Sequence, residues 1–325
     1  MFKLKLRRVG LSVAAAGLIG MGMAPMAGAS SAGSVNNPGQ ANKVSNSYVA
    51  TATEDVALHN MLPSWILKKG FILVGAQFEN APDDFFSGTA NTPVGFEVNL
   101  AHAIGKELGI GIKYMQLPVW SSIVPAVQDG RVDMSMTAMN DLVPREQLIN
   151  FVDYLVDGIG ILVKGGNPLH ITGPSSLCGK NVTDSAGTSQ ERYLQSLNAA
   201  GGLCASNQIH EVIASSTAQE LANLATGRAD AVLNDNITDA FDAQTMHGAV
   251  TAVNYPPIES GPYGIGVGKS DVRLLKAVNG ALQNLMKGGK KSIYQEILTA
   301  WNVASVSIPA PVINGCAKPI YRKSC

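Results

Sequence analysis

GRVDMSMT, residues 130–137, and GRADAVLN, residues 227–234, are nearly one phrase written twice, about a hundred residues apart. Each follows an apolar helical pattern, IVPAVQD (123–129) and ELANLAT (220–226), and each runs into apolar, strand-like residues. The interval is too long for a stacked repeat array, whose period is roughly 20–50 residues. Gly-Arg between a helix and a strand is also ordinary turn chemistry, so the phrase alone leaves chance open. Two copies of one helix–strand step point to two lobes of similar build.

The pattern on either side agrees. FILVGA (71–76) reads as a strand. FEVNLAHAIGKELG (96–109) reads as a helix, with Phe96, Leu100, Ala103, Ile104 and Leu108 recurring at three and four residues. IKYMQL (112–117) and VDMSMTAM (132–139) read as further strands around the helix SSIVPAVQDG (121–130). NVTDSA, SQERYLQSLNAAG, QIHEVI, TAQELANLATG and DAVLND repeat the β-α-β-α-β order between residues 181 and 235. DVRLLKAVNGALQNLMKG and KSIYQEILTAWN close the chain with helices. Such alternation predicts an α/β protein with parallel-rich sheets covered by helices. GIGILVKG (158–165) and GPYGIGVGK (261–269) read as two links between lobes, with the chain returning to the first. A ligand is expected in the cleft between lobes, at the carboxyl ends of the strands.

The expected organisation is a signal peptide at 1–29, a flexible leader at 30–53, a first lobe at 54–160, a second lobe at 161–260, a return to the first lobe at 261–305, and a C-terminal tail at 306–325. MFKLKLRR supplies the positive start, VGLSVAAAGLIGMGM the apolar run and Ala27-Gly28-Ala29 the small-residue cleavage site. Ser30 is then the first mature residue, and the expected location is the periplasm. No cysteine follows the cleavage site to carry a lipid. The leader SSAGSVNNPGQANKVSNSYVATAT has too little apolar surface to order itself.

The 325 residues suffice for two cores. Basic and acidic residues balance at 24 each, which gives no electrostatic basis for nucleic-acid binding. Apolar runs such as GIGILV fall far short of the ~18 residues of a membrane span. Four cysteines form an even set suited to an oxidising compartment. Cys178 and Cys204 each precede a strand, and parallel neighbouring strands would bring their starts together. That favours Cys178–Cys204 and leaves Cys316–Cys325. No CxxC pair or HxxxH spacing supports zinc, and no metal or cofactor is expected.

Chemistry is expected at the strand ends. The first repeated phrase leads to Arg145 and the second to Asp235. An arginine can hold a carboxylate through two parallel hydrogen bonds, and an aspartate can pair with an ammonium. An α-amino acid presents both groups on one carbon. Gly187, Thr188 and Ser189 stand where a helix begins, a position that favours an anion or serves as a plain N-cap.

The order and spacing of KKGFILVGA, PVGFEVNLAHAIGKELG, WSSIVPAVQDGRVDMSMTAMNDLVPREQLINFVDYL, CGKNVTDSAGTSQERYL, LATGRADAVLND and SGPYGIGVGKSD resemble those of the family-3 extracellular solute-binding proteins, over roughly residues 55–302. The resemblance implies the two-lobed type II periplasmic binding protein fold, with two parallel-rich sheets joined by a two-segment hinge. It implies a non-enzymatic receptor that delivers a polar amino acid, or a similar solute, to an inner-membrane ABC permease, working as a monomer. It also implies roles. Arg145 would hold the ligand carboxylate with Asn140 beside it, Ala138 would offer its carbonyl to the ammonium, and Trp120 would form an aromatic wall. Asp235 would bind the ammonium, and Ser185, Ser189 and Gln190 would contact the ligand from the second lobe. Two positions depart from the family pattern: Gln77 stands where an acidic residue is usual, and Asn80 where an aromatic one is. Phe78 or Phe85 would then supply the aromatic surface. The alternative reading is a dehydratase on the same fold, acting on a prephenate- or arogenate-type compound. Glu79, Asp83 and Asp84 are the loop carboxylates it could use; they read as solvated charges.

Overall fold

The computed structural model describes residues 37–88 and 91–318. Its first element is a helix where composition predicts a flexible leader. Asn37 caps α1 (Pro38–Val49) by accepting from the Gly39 and Gln40 N–H groups, and Pro38 sits in the first turn, where its lack of a donor costs nothing. Ala41, Ser45 and Val49, spaced by four, are buried. The expectation of a flexible leader is therefore corrected for residues 38–53: a stripe of small side chains lets the helix lie close to its neighbours. Asn99 Nδ2 seals that contact by donating to the Asn42 and Asn46 side chains at 2.9 and 3.1 Å. The signal peptide at 1–29 and the rest of the leader lie outside the described residues.

Two short helices follow, α2 (Val56–Met61) and α3 (Ser64–Lys69), parted at Pro63. The first lobe then takes β1 (Phe71–Ala76), a small antiparallel sheet of β2 (Glu79–Asn80), β3 (Asp84–Ser87) and β4 (Thr92–Val94), the helix α4 (Phe96–Glu107), β5 (Gly111–Gln116), α5 (Ile123–Gln128), β6 (Met134–Ser135) and the short α6 (Val143–Glu146). A long strand, β7 (Ile149–Lys164), leads to the second lobe: β8 (Asn181–Ser185), α7 (Ser189–Asn198), β9 (His210–Ala214), α8 (Thr217–Thr226), β10 (Ala231–Asp235), α9 (Asn236–Thr245) and β11 (Val250–Ala252). The chain returns on β12 (Ile258–Gly268) to α10 (Val272–Met286), α11 (Ile293–Ala300) and β13 (Ser307–Ile313). No helix among the described residues is long and apolar enough to cross a membrane.

The expected parallel-rich halves are both present, joined by hydrogen bonds into one ten-stranded sheet of order β5-β1-β6-β12-β7-β10-β8-β9, with β11 and β13 each paired to β7 off that path. β1, β5 and β6 pair in parallel, as do β8, β9 and β10. The two segments read as links are the antiparallel pair β7 and β12, which runs through both halves. β7 is buried along almost its whole length, its polar Asn150, Asp153 and Asp157 included. The pairing slips between Ile258 and Gly261 and again between Tyr263 and Gly264, so the two-stranded connection is irregular where it passes from one half to the other.

The repeated phrase has one structural meaning in both copies. Gly130 (φ 66°) and Gly227 (φ 75°) take the left-handed turn that ends a helix. The aspartate two residues past the arginine then clips onto the first strand of its own lobe. Asp133 N–H donates to Leu73 O at 2.9 Å, and its carboxylate accepts from Leu73 N at 2.6 Å. Asp230 N–H donates to Asn181 O at 2.7 Å, and its carboxylate accepts from Asn181 N at 2.9 Å.

Cys178 and Cys204 form a disulfide. They stand just ahead of β8 and β9, which pair in parallel from Asn181 and His210, as the argument from neighbouring strand starts requires. The other pairing ends at Cys325, outside the described residues. The segment expected as a tail carries β13, which lies antiparallel to β7. Just beyond it, the Gly315, Cys316 and Ala317 N–H groups donate to the carboxylates of Asp153, Asp141 and Glu146 at 3.1, 3.3 and 3.0 Å.

Candidate functional site

On the first lobe, the chain leaves β6 and turns at Ala138, whose φ of 45° is rare for a residue with a side chain. The turn is held by Glu97, buried at the start of α4, whose carboxylate accepts from Ala138 N at 2.9 Å and from the Tyr154 hydroxyl. Burial pushes Glu97 up to about 7, against the pull of those donors. The turn delivers Asn140 and then α6, which carries Arg145. The Arg145 guanidinium donates to Asn140 O and, across the cleft, to Gly187 O, both at 3.0 Å. It lies 5.7 Å from the Trp120 ring centroid, and Trp120 Nε1 also donates to Gly187 O at 3.3 Å. Burial first, and Arg192 nearby, lower Arg145 to about 10, which leaves it charged at neutral pH.

On the second lobe, β10 ends at Asp235, which is 5 % exposed. Its Oδ1 accepts from Gln190 Nε2 at 2.8 Å and from the Tyr263 hydroxyl at 2.5 Å. Burial raises Asp235 to about 6, while these donors and Arg145 pull it back. Thr188 caps α7 by accepting from Glu191 N at 3.2 Å, and the Glu191 carboxylate accepts from Gly187 N at 2.7 Å. The helix start is thus filled by an anion from its own first turn, the plain N-cap reading. Ser189 bridges the lobes by donating to Asn140 Oδ1 at 2.8 Å.

Between these groups lies a cavity of about 30 Å³, lined by Gln77, Asn80, Trp120, Ala138, Asn140, Ser185, Thr188, Gln190, Thr217, Glu220, Leu233, Asn234 and Asp235. At ~10–15 Å³ each, that is room for about two water molecules. Arg145 stands at its margin through Asn140 and Trp120, and Ser189 behind Asn140 and Gln190. Phe78 is corrected. It is 4 % exposed, packs with Ala76 and Val98, and meets the rings of Phe86 and Tyr114 at 4.9 and 5.5 Å, so it supplies core rather than cavity wall. Phe85 likewise packs toward Phe241 and Trp301. Asp83 and Asp84, read as solvated, are fully buried; Asp83 accepts from Thr238 Oγ1 and Asp84 from Phe78 N, both at 3.3 Å, and burial pushes both well up.

Tyr263, Thr217, Glu220 and Asn234 are site residues that the sequence reading passed over. Tyr263 is buried in β12. Thr217 opens α8 and donates to Asn80 Oδ1 across the cleft at 2.8 Å. Glu220 had a signal: it sits four residues before Leu224, on the helix face that packs inward. Among the described residues, no group of three or more His, Cys, Asp or Glu is arranged to hold a metal ion. What the arrangement offers is a buried carboxylate on the wall of a small cavity and a cation from the opposite lobe at its margin.

Comparisons with known proteins bear on the family and the fold. The chain is 27% identical over 225 residues to the L-cystine-binding protein TcyJ of Escherichia coli (strain K12), covering 69% of this chain and 80% of that one. A solved ancestral arginine-binding protein bound to arginine superposes with a TM-score of 0.63 at 28% identity, covering 71% of this chain and 98% of the other. An ancestral amino acid-binding protein, AncCDT-1, described as a precursor of cyclohexadienyl dehydratase, superposes with a TM-score of 0.62 at 28% identity, covering 73% and 97%. The family model for bacterial extracellular solute-binding proteins, family 3, matches residues 72–303, and the chain belongs to that family.

Proposed function

We propose that this protein captures a polar α-amino acid, closes its lobes on it, and presents the closed state to an ABC importer from the periplasm, after cleavage near Ala29. The observation that carries the reading is the pair of opposite charges, Asp235 on the cavity wall and Arg145 from the other lobe at its margin, near enough to feel each other. The ligand carboxylate takes the guanidinium, which now rests on two neutral carbonyls. The ligand ammonium takes Asp235, with Gln190 and Tyr263 holding that carboxylate in place. Trp120 covers the ligand, and Ser185, Thr188 and Gln77 line its surroundings. A cavity this small admits an amino acid only if the lobes part, and the irregular β7–β12 connection is where they bend.

Removing one partner leaves a ligand charge desolvated and unpaired, at about 2–5 kcal/mol. Calorimetric titration of Arg145→Ala and Asp235→Ala against a panel of amino acids tests the reading. Each variant is expected to lose roughly thirty-fold or more in affinity. If both bind within a factor of three of the parent, the ligand is not held as an α-amino acid. The neighbour named as a dehydratase precursor makes one control useful: prephenate incubated with the protein is expected to give no aromatic absorbance product.

A further inference from the structure

Asp235 and Glu220 are the carboxylates on the cavity wall, and the proposed clamp uses only Asp235. Glu220 is 3 % exposed. Its two oxygens accept from Ser185 Oγ at 2.7 Å and from Asn234 Nδ2 at 3.2 Å. Both donors are neutral. The ion pairs among the described residues, His59–Glu54, Lys69–Asp133 and Arg192–Glu259, all lie elsewhere. Arg145 touches Asn140, Gly187 and Trp120, whereas Glu220 touches Ser185 and Asn234, so the clamp cation serves a different part of the site. A buried acid with no cation beside it keeps its proton until one arrives, and on a cavity wall that cation can come from a ligand.

Resting on the reading above, we propose that the site selects α-amino acids whose side chain ends in a positively charged nitrogen group, and that Glu220 is the residue that reads that charge. Ser185 and Asn234 occupy one lone pair on each Glu220 oxygen and so fix the carboxylate while its remaining lone pairs accept the ligand's N–H groups. The rest of that wall, Gln77, Asn80, Thr217 and Asn234, is neutral and hydrogen-bonding, without a competing cation. Burial, with Asp235, Glu79 and Asp242 adding repulsion, pushes Glu220 up to about 8. Asp184 on the neighbouring strand is raised by the same burial and feels Glu220 in turn. A cationic side chain therefore displaces a proton from this group at neutral pH, and a neutral one does not.

The experiment is calorimetric titration of the full chain, at pH 7 in buffers of different ionisation enthalpy, with L-arginine, L-lysine and L-ornithine against L-citrulline and L-norleucine. The parent is expected to bind at least one cationic acid roughly thirty-fold or more tightly than its neutral counterpart, with release of about one proton. Glu220→Gln, which keeps the shape and one acceptor, is expected to bring the two within a few-fold, while Asp235→Ala weakens both. Equal binding of arginine and citrulline by the parent overturns the assignment without needing any variant. So does undiminished discrimination in Glu220→Gln, or tight binding confined to neutral or acidic amino acids, although in each of these cases the clamp reading stands. If no α-amino acid binds at all, the clamp reading falls and takes this inference with it.

Discussion

Raising the pH from 5 to 8 is expected to destabilise the unliganded protein, because so many of its carboxyls are buried. Asp157 shows the size of the effect. It is 2 % exposed, and burial first, with Asp235 nearby, pushes it up to about 7. In the unfolded chain an aspartate titrates near 3.9. Between those values the folded chain holds a proton that the unfolded chain has lost. Stability is therefore full below pH ~4 and falls as pH rises through the folded value, by about 1.4 kcal/mol per unit for one group. From pH 5 to 7 Asp157 alone accounts for roughly 2–3 kcal/mol. Glu97 at about 7, Asp141 at about 7 and Asp153 at about 9 act in the same direction. Asp141 and Asp153 repel and hydrogen-bond each other, so their contributions do not simply add. His102, held below its ordinary value by burial, opposes them only on the acid side of about pH 6.5. A chain of this size shifts by roughly 2–4 °C per kcal/mol, so Asp157 alone is expected to make Tm about 5–10 °C higher at pH 5 than at pH 8, and the other raised carboxyls add to that. Scanning calorimetry at constant ionic strength measures it. Asp157→Asn, which keeps an acceptor for Ile237 N (now 3.0 Å away), is expected to flatten the profile. A Tm at pH 5 equal to or below that at pH 8 refutes the reasoning.

Replacing Cys178 and Cys204 together by alanine opens a loop of sequence separation 26; the expected loss is roughly 3–4 kcal/mol in urea denaturation, and a loss under about 1 kcal/mol contradicts it. Trp120 is half-buried at the cavity, Trp301 is buried with its Nε1 on Asn99, and Trp65 is exposed. Ligand-induced fluorescence change is therefore expected to vanish in Trp120→Phe, and a full response in that variant rules out Trp120 as the covering wall.

Much of the fold was legible because strands and helices wrote their periods plainly, and because the two Gly-Arg-x-Asp phrases mark the same clip in each lobe. The disulfide followed from parallel strands alone. What failed did so for physical reasons. Helix α1 has too few large apolar residues to read as ordered, yet small side chains at spacing four are what close packing needs. Phe78 lies where an aromatic wall was expected, but its left-handed backbone (φ 60°) accompanies a ring turned into the core. Asp83 and Asp84 look like loop charges, and nothing local reveals that α4 and the second lobe cover them. Tyr263 sits in a glycine-rich run that reads as a linker, although its hydroxyl holds Asp235 from the strand joining the lobes.

The route of the chain also sets an order of events in time. β8, β9 and β10 follow one another between residues 181 and 235 and pair among themselves and with β7, so these pairings wait for no later strand. The first-lobe strands are different: β6 gains its β12 neighbour only after the chain has gone out and back, and β13 reaches β7 later still. Pairings so distant in sequence form slowly, because a long loop must close before they are rewarded. Asp141 and Glu146, which flank Arg145, receive the Cys316 and Ala317 N–H groups only when the far end of the chain arrives. The segment that carries Arg145 is thus completed only by contacts from the far end of the chain.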